Sequence, residues 1–158
     1  MKTWNLIQTD AERYFQRKTS KSSIVKHFFK SPPIRAVILI RIALSTQGFL
    51  SWFCRTLLFS YHSIDLCRST KIDCGLVLPH PFGITFGCGS VVMSNCTIYQ
   101  NVTLGAKNDK YPSIRNNVTI YPGTVIVGNI EIGENAVIGA LSFVDKSVEK
   151  SDIFHSRS

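Results

Sequence analysis

From Val92 onward an aliphatic residue returns at every sixth position: Val92, Ile98 and Leu104, then, after four inserted residues, Ile114, Ile120, Ile126, Ile132, Ile138 and Val144. Upstream, Ile72 and Leu78 keep the spacing, and a two-residue slip separates them from Phe86-Gly87. A period of six belongs neither to a helix nor to an ordinary strand. It fits a solenoid in which each six-residue unit makes one short flat strand and a turn, three units closing a triangular coil. The aliphatic side chain then points inward and stacks on its counterpart in the next coil. Four positions later comes a small or β-branched residue: Cys96, Val102, Val118, Thr124, Ile130, Ala136 and Ser142. Such residues suit coil corners.

Residues 1–62 lack this period and read as a basic α-helical segment. Residues 63–150 carry the coils, and 151–158 read as a tail. Thr9-Asp10 is placed to cap a helix over Ala11–Lys18. Ser31-Pro32-Pro33 interrupts the chain. Ile34 to Ser60 reads as one long helix or two, with a kink expected at Gly48. Its nearly all-round apolar character suits burial between other elements.

The formal charge of the chain is +8. Residues 1–60 hold ten basic residues against two acidic ones, Asp10 and Glu12, whereas the remainder balances eight against eight. The excess therefore belongs to the helices. Lys18, Lys21, Lys26, Lys30, Arg35 and Arg41 form a basic set expected to meet an anionic surface, such as a membrane face. No recognisable nucleic-acid motif accompanies them, so nucleic acid is not an expected partner. The first twenty residues lack an apolar signal-peptide core. The most apolar stretch, Ile34 to Tyr61, is interrupted by Arg35, Arg41 and Arg55, and its longest uncharged segment, Ile42 to Cys54, is too short for a bilayer of about 30 Å. Five cysteines, an odd number without C-x-x-C spacing, are expected to be buried thiols in a reducing cytoplasm.

Four stretches carry a resemblance: Leu78-Pro-His-Pro-Phe-Gly83, Gln100-Asn-Val-Thr-Leu-Gly105, Lys110-Tyr-Pro-Ser-Ile-Arg115 and Val127-Gly-Asn-Ile-Glu-Ile-Gly133. Together with the repeats they resemble the hexapeptide-repeat acyltransferases. Within that family, Asp65 to Val148 is similar to serine acetyltransferase and its short relatives encoded with exopolysaccharide and capsule genes. The resemblance implies a mainly β fold, a left-handed parallel β-helix behind a short helical segment, and a homotrimer with its sites between subunits. The helices could pair two trimers. It also implies an acetyl-CoA-dependent O-acetyltransferase that needs no metal.

Moving acetyl from a thioester to a hydroxyl requires a base that titrates near neutral pH, and histidine fits. Of His27, His62, His80 and His155, only His80 lies within the repeats. By similarity His80 is the catalytic base, and Asp65, fifteen residues before it, orients the ring. Asp73 reads as a solvated corner. The pantetheine arm of acetyl-CoA would pass the small residues Gly105, Ala106, Gly123, Gly139 and Ala140, and Lys146, Lys150 and Arg157 lie where its phosphates could be met. Two departures stand out. Tyr121-Pro122 replaces the family's usual Gly-Ala, and the C-terminal Gly-Val-Pro-Ala-type strand has no counterpart.

The acceptor is expected to contact Lys110 and Tyr111. Serine acetyltransferases carry Asp immediately before the catalytic histidine, where this chain has Pro79. They carry Arg-His-Pro in the inserted loop, where it has Lys110-Tyr111-Pro112. Without the acidic partner for an ammonium group, and with a tyrosine face in the loop, the residues favour a saccharide hydroxyl, with L-serine of cysteine biosynthesis as the alternative. A non-catalytic trimerisation scaffold is a second alternative. A γ-class carbonic anhydrase shares the fold but needs three histidines on zinc, and the repeats supply one.

Overall fold

The computed structural model describes residues 2–156. Four helices come first: α1 (Thr3–Phe15), α2 (Lys21–Lys30), α3 (Pro32–Ser45) and α4 (Gly48–His62). Thirteen strands follow, and all their pairings are parallel. One sheet stacks β1 (Asp65–Leu66), β3 (Thr85–Phe86), β6 (Thr103–Gly105), β9 (Val125–Val127) and β12 (Phe143–Val144). A second stacks β2 (Lys71–Ile72), β4 (Val91–Val92), β7 (Ser113–Ile114) and β10 (Glu131–Ile132). The third stacks β5 (Thr97–Ile98), β8 (Thr119–Ile120), β11 (Val137–Ile138) and β13 (Ile153–Phe154). The chain is thus a three-sided parallel β-solenoid of about four turns behind four helices.

The register explains the irregularities of the repeat. Thr85 pairs with Thr103, and Val125 with Phe143, one coil of eighteen residues apart. Asp65 pairs with Thr85 across the two-residue slip, and Thr103 with Val125 across the four-residue insertion. Those four residues make a tight hairpin, Lys107 opposite Lys110, with Asn108 and Asp109 both left-handed. The aliphatic column is sealed: Phe86, Ile98, Leu104, Ile114, Ile120, Ile126, Ile132, Ile138 and Val144 have no exposed surface. Its stacking makes each coil the hydrophobic partner of the next. The corner slots Cys96, Val102, Val118, Thr124, Ala136 and Ser142 are buried as well. Asn95, Asn101, Asn117 and Asn135 precede corner slots in left-handed conformation, which asparagine tolerates better than most residues.

The helices dock through charge. Asp10 and Arg41 are 1% and 2% exposed and form a bidentate pair, Nε to Oδ2 at 2.7 Å and Nη2 to Oδ1 at 3.0 Å. Arg41 also donates to the carbonyls of Ile72 and Asp73, and Asp10 accepts from the Leu76 amide. Arg13 donates to the carbonyls of Gly75 and Cys96. Asp10 is therefore an interior helix residue facing α3, and the expected capping role is corrected; α1 begins well before it. Arg41 leaves the basic surface set for the same reason, and half-buried Arg35 donates to His62 instead. Lys18, Lys21, Lys26 and Lys30 remain exposed.

Other expectations change. Gly48 opens α4 after an extended Thr46–Gln47 link and does not kink a longer helix. The helix α2 had no place in the sequence reading; Ser20 caps it by accepting from the Ser23 amide. The segment set apart as a tail contributes β13, which pairs with β11. Cys67 and Cys88 form a disulfide, leaving Cys54, Cys74 and Cys96 as thiols. The two sit on successive coils, where register brings their Cα atoms within 4.9 Å. No helix among the described residues is long and apolar enough to cross a membrane.

Removing one member of a buried ion pair strands the other charge. Asp10→Ala should cost about 3–5 kcal/mol in urea unfolding, and the Asp10→Ala/Arg41→Met double variant less than the sum of its parts.

Candidate active site

His80 lies on the corner between the third and first sheets, in a turn whose shape Pro79 and Pro81 restrict on either side. The Phe82 amide donates to the His80 carbonyl at 2.9 Å, and the Gly83 amide to the His62 carbonyl at 3.0 Å. Gly83 has φ +67°, and a Cβ there would collide with the Asn101 side chain, so glycine is required to close the turn. The His80 ring is exposed to solvent. Its neighbours on the corner are aromatic: Tyr99 at 6.2 Å between ring centroids, and Tyr121, which stacks on Tyr99 at 5.2 Å and 12°. Both tyrosines directly follow an inward aliphatic residue, Ile98 or Ile120, so the six-residue period itself could have located this row.

Asp65 opens β1 beside the same turn, its amide bonded to the Ile84 carbonyl at 3.0 Å. Its exposed side chain lines a pocket of about 260 Å³ with Trp52, Arg55 and Phe59 of α4. Asp65 and His80 share no hydrogen bond among the described residues. Beneath the turn lies a histidine that the sequence reading passed over. His62 is fully buried; its Nδ1 meets the Pro81 carbonyl at 3.2 Å, and its Nε2 accepts from Arg35 Nε at 3.3 Å. Burial, and then the Arg35 charge, push the His62 pKa below the usual imidazole value.

Lys110 and Tyr111 lie on another corner, between β6 and β7. Within one chain they do not meet His80. Tyr111 is half-buried and lies over the backbone at Gly87 and Gly89; a Cβ on Gly87 would sit 2.8 Å from Tyr111 Cε1. One side of the ring packs on that backbone. Lys110 is exposed. The small residues divide likewise. Gly105 and Ala106 share the hairpin corner, whereas Gly123, Gly139 and Ala140 follow the corner of His80. Ala106 and Ala140 are open, whereas Gly139 is buried with the His155 ring over it. Lys150 is paired with Glu134 at 2.8 Å, and Arg157 lies outside the described residues.

Asp73 occupies its expected corner, where bonds from Ser94 Oγ and the Cys74 amide hold its carboxyl below the usual range. Burial pushes the Cys96 thiol up to about 11 and also raises that of Cys54, so neither is primed as a nucleophile. No cluster of three His, Cys, Asp or Glu side chains occurs among the described residues.

Known proteins match both the coils and the whole architecture. The family "Bacterial transferase hexapeptide (six repeats)" matches residues 111–146. Serine acetyltransferase from Buchnera aphidicola subsp. Schizaphis graminum is 35% identical over 104 residues, covering 63% of this chain and 40% of that protein. The Escherichia coli K12 serine acetyltransferase is 41% identical over 85 residues, covering 51% of this chain and 31% of that protein. The crystal structure of Neisseria gonorrhoeae serine acetyltransferase in complex with serine superposes with TM-score 0.82 at 26% identity, covering 98% of this chain and 67% of that one. The chain is similar to serine acetyltransferases in sequence and in fold. A serine acetyltransferase in complex with CoA superposes at TM-score 0.79 and 27% identity, covering 94% of this chain and 64% of that one. The match to solved structures spans the helices as well as the coils. The chain spans 40% or less of the length of the curated relatives described.

If Tyr111 packs and does not bind, Tyr111→Ala should lower the thermal midpoint by about 3–6 °C, corresponding to about 1–2 kcal/mol. Tyr111→Phe should leave it unchanged. Thermal unfolding followed by circular dichroism measures both.

Proposed function

We propose that this chain transfers acetyl from acetyl-CoA to the hydroxyl of a small acceptor, with His80 as general base, Asp65 as its orienting partner and L-serine as the acceptor the comparisons favour. The observation that carries the reading is the similarity to serine acetyltransferases joined to an accessible histidine, fifteen residues after Asp65, in the turn that the likeness marks. His80 takes the acceptor's hydroxyl proton, and the oxygen attacks the thioester carbonyl directly. Backbone N–H groups at a coil corner support the oxyanion. His80 then returns the proton to the departing CoA thiolate. The buried, protonated thiols of Cys54 and Cys96 accord with transfer that passes through no acyl-enzyme.

Two features bear on how the site is assembled. Lys110 and the hairpin lie on a different corner from His80, so an acceptor that touches both lies between two copies of the chain; a homotrimer supplies that arrangement. Acetyl-CoA would follow the open Ala106 and Ala140 positions, its phosphates near exposed lysines such as Lys110 and Lys146. Tyr121 narrows the passage where a smaller residue would leave room.

A specific observation favours a second reading of the acceptor. The rings of His80, Tyr99 and Tyr121 make an aromatic row with Tyr121 41% exposed, and among the described residues no carboxylate bonds to the His80 ring. Aromatic faces and edges of this kind suit a pyranose ring, which keeps a saccharide hydroxyl as the competing acceptor.

Free-thiol release from acetyl-CoA, measured with L-serine beside a panel of sugars, tests the reaction and its acceptor together. His80→Ala should lower kcat by about 10²- to 10⁴-fold, and equal turnover by that variant would sink the mechanism. Serine turnover with low KM selects the first reading, and turnover of sugars alone selects the second. The exposed Lys18, Lys21, Lys26 and Lys30, with Phe29 75% exposed among them, are proposed to touch an anionic membrane face from the cytoplasmic side. Cosedimentation with phosphatidylserine vesicles should be strong at low salt and lost at high salt, and failure at low salt would leave the charge a solubilising one.

A further inference from the structure

We infer that His62 is a positioning residue for the base: its imidazole braces the Pro79–Phe82 turn from below through the Pro81 carbonyl and so sets where the His80 ring stands. The inference rests on the proposed role of His80 and extends it to a residue that nothing else assigns.

The geometry fixes how the brace is wired. Arg35 reaches the ring with Nε, a nitrogen that can only donate, so His62 Nε2 must accept. A neutral imidazole carries one N–H, which therefore resides on Nδ1 and points to the Pro81 carbonyl at 3.2 Å. The His62 carbonyl accepts from the Gly83 amide at 3.0 Å, and its ring lies 5.6 Å from that of Phe82. One residue thus holds the turn at Pro81, Phe82 and Gly83, immediately after His80. Because both proline rings limit the turn's torsions, movement at Pro81 is passed to His80 instead of being absorbed between them. The anchor stands on firm ground: α4 ends at His62, and Arg35 comes from α3, whose next turns are buried.

The same wiring fails on protonation. A second ring proton on Nε2 would face the Arg35 N–H and its charge. The groups around the ring are Arg35 from α3, and the Pro81 carbonyl and Phe82 ring from the turn. Among the described residues no carboxylate bonds to it to stabilise an imidazolium. Burial and Arg35 both lower the His62 pKa, so the brace holds at neutral pH and is lost only on the acid side. Activity would then fall in acid as the turn that carries His80 loses its support.

Three variants test this by acetyl-CoA turnover across pH, with folding checked by circular dichroism. His62→Phe keeps an aromatic ring without either hydrogen bond. It should lower kcat by about 10- to 100-fold while leaving KM for acetyl-CoA within about twofold. His62→Gln keeps both a donor and an acceptor and should recover much of that loss. On the acid side log kcat should fall more steeply in the parent protein than in His62→Gln. Should His62→Phe not fold, Arg35→Met answers alone: with the opposing charge gone, His62 takes its proton at higher pH, and the acid limb should move to higher pH. If His80→Ala is inactive but His62→Phe and Arg35→Met match the parent in kcat and profile, His62 is only a packing residue and the inference is overturned. If His80→Ala itself is fully active, the failure lies with the reading of the base.

Discussion

The pairing of Asp10 with Arg41 is the polar contact that ties the helices to the first coil, beside an apolar core that runs from α3 and α4 into the coils. Neither charge could be buried alone, because the cost of stripping water from an unpaired ion is several kcal/mol. Together they satisfy each other and then use their remaining donors and acceptors on backbone: Ile72 and Asp73 carbonyls on one side, the Leu76 amide on the other. These are groups of the first coil, which has no coil before it to stack on. The open end of a solenoid is therefore closed by a helix pair carrying its own charge compensation. Arg13 extends the attachment to the second coil through the Cys96 carbonyl and Thr97 Oγ1.

From that closure the active corner follows. The helix α3, set in place by Arg41, carries Arg35 one and a half turns earlier. Arg35 reaches His62 at the end of α4, and His62 reaches the turn of His80. Helix docking and the placement of the His80 turn are thus parts of one chain of contacts. The hairpin corner with Lys110 and Tyr111 is independent of it; there the packing of Tyr111 on Gly87 and Gly89 holds successive coils together.

Legibility in the sequence follows the range of the interactions. Coil contacts recur at a fixed offset, so the inward slots, the two-residue slip and the four-residue insertion could be read directly, and strand register reproduces all three. The turn of His80 was legible through resemblance. What escaped reading depends on partners at arbitrary distances. Asp10 looks like a cap because its neighbours in sequence suit a helix start, yet its partner is 31 residues away. Arg41 looks like surface charge for the same reason. His62 carries no motif, because its meaning comes from Arg35 and Pro81. Cys67 and Cys88 are neighbours only after the coils stack. Tyr111 packs on Gly87 and Gly89, which become its neighbours only once the coils stack.

The stacked row of His80, Tyr99 and Tyr121 turns a coil corner into a graduated edge. Coils repeat at the spacing of paired β-strands, about 4.8 Å, and side chains on the corner can stand only at whole steps of that interval. Whatever lies along the edge is measured in units of one coil. Reach from the base therefore changes in jumps: a six-residue insertion would rotate a side chain to the next face, whereas only a full eighteen would carry it one rung further along the same edge. A protein of this kind can lengthen or shorten the edge by adding or deleting coils while leaving the His80 turn untouched.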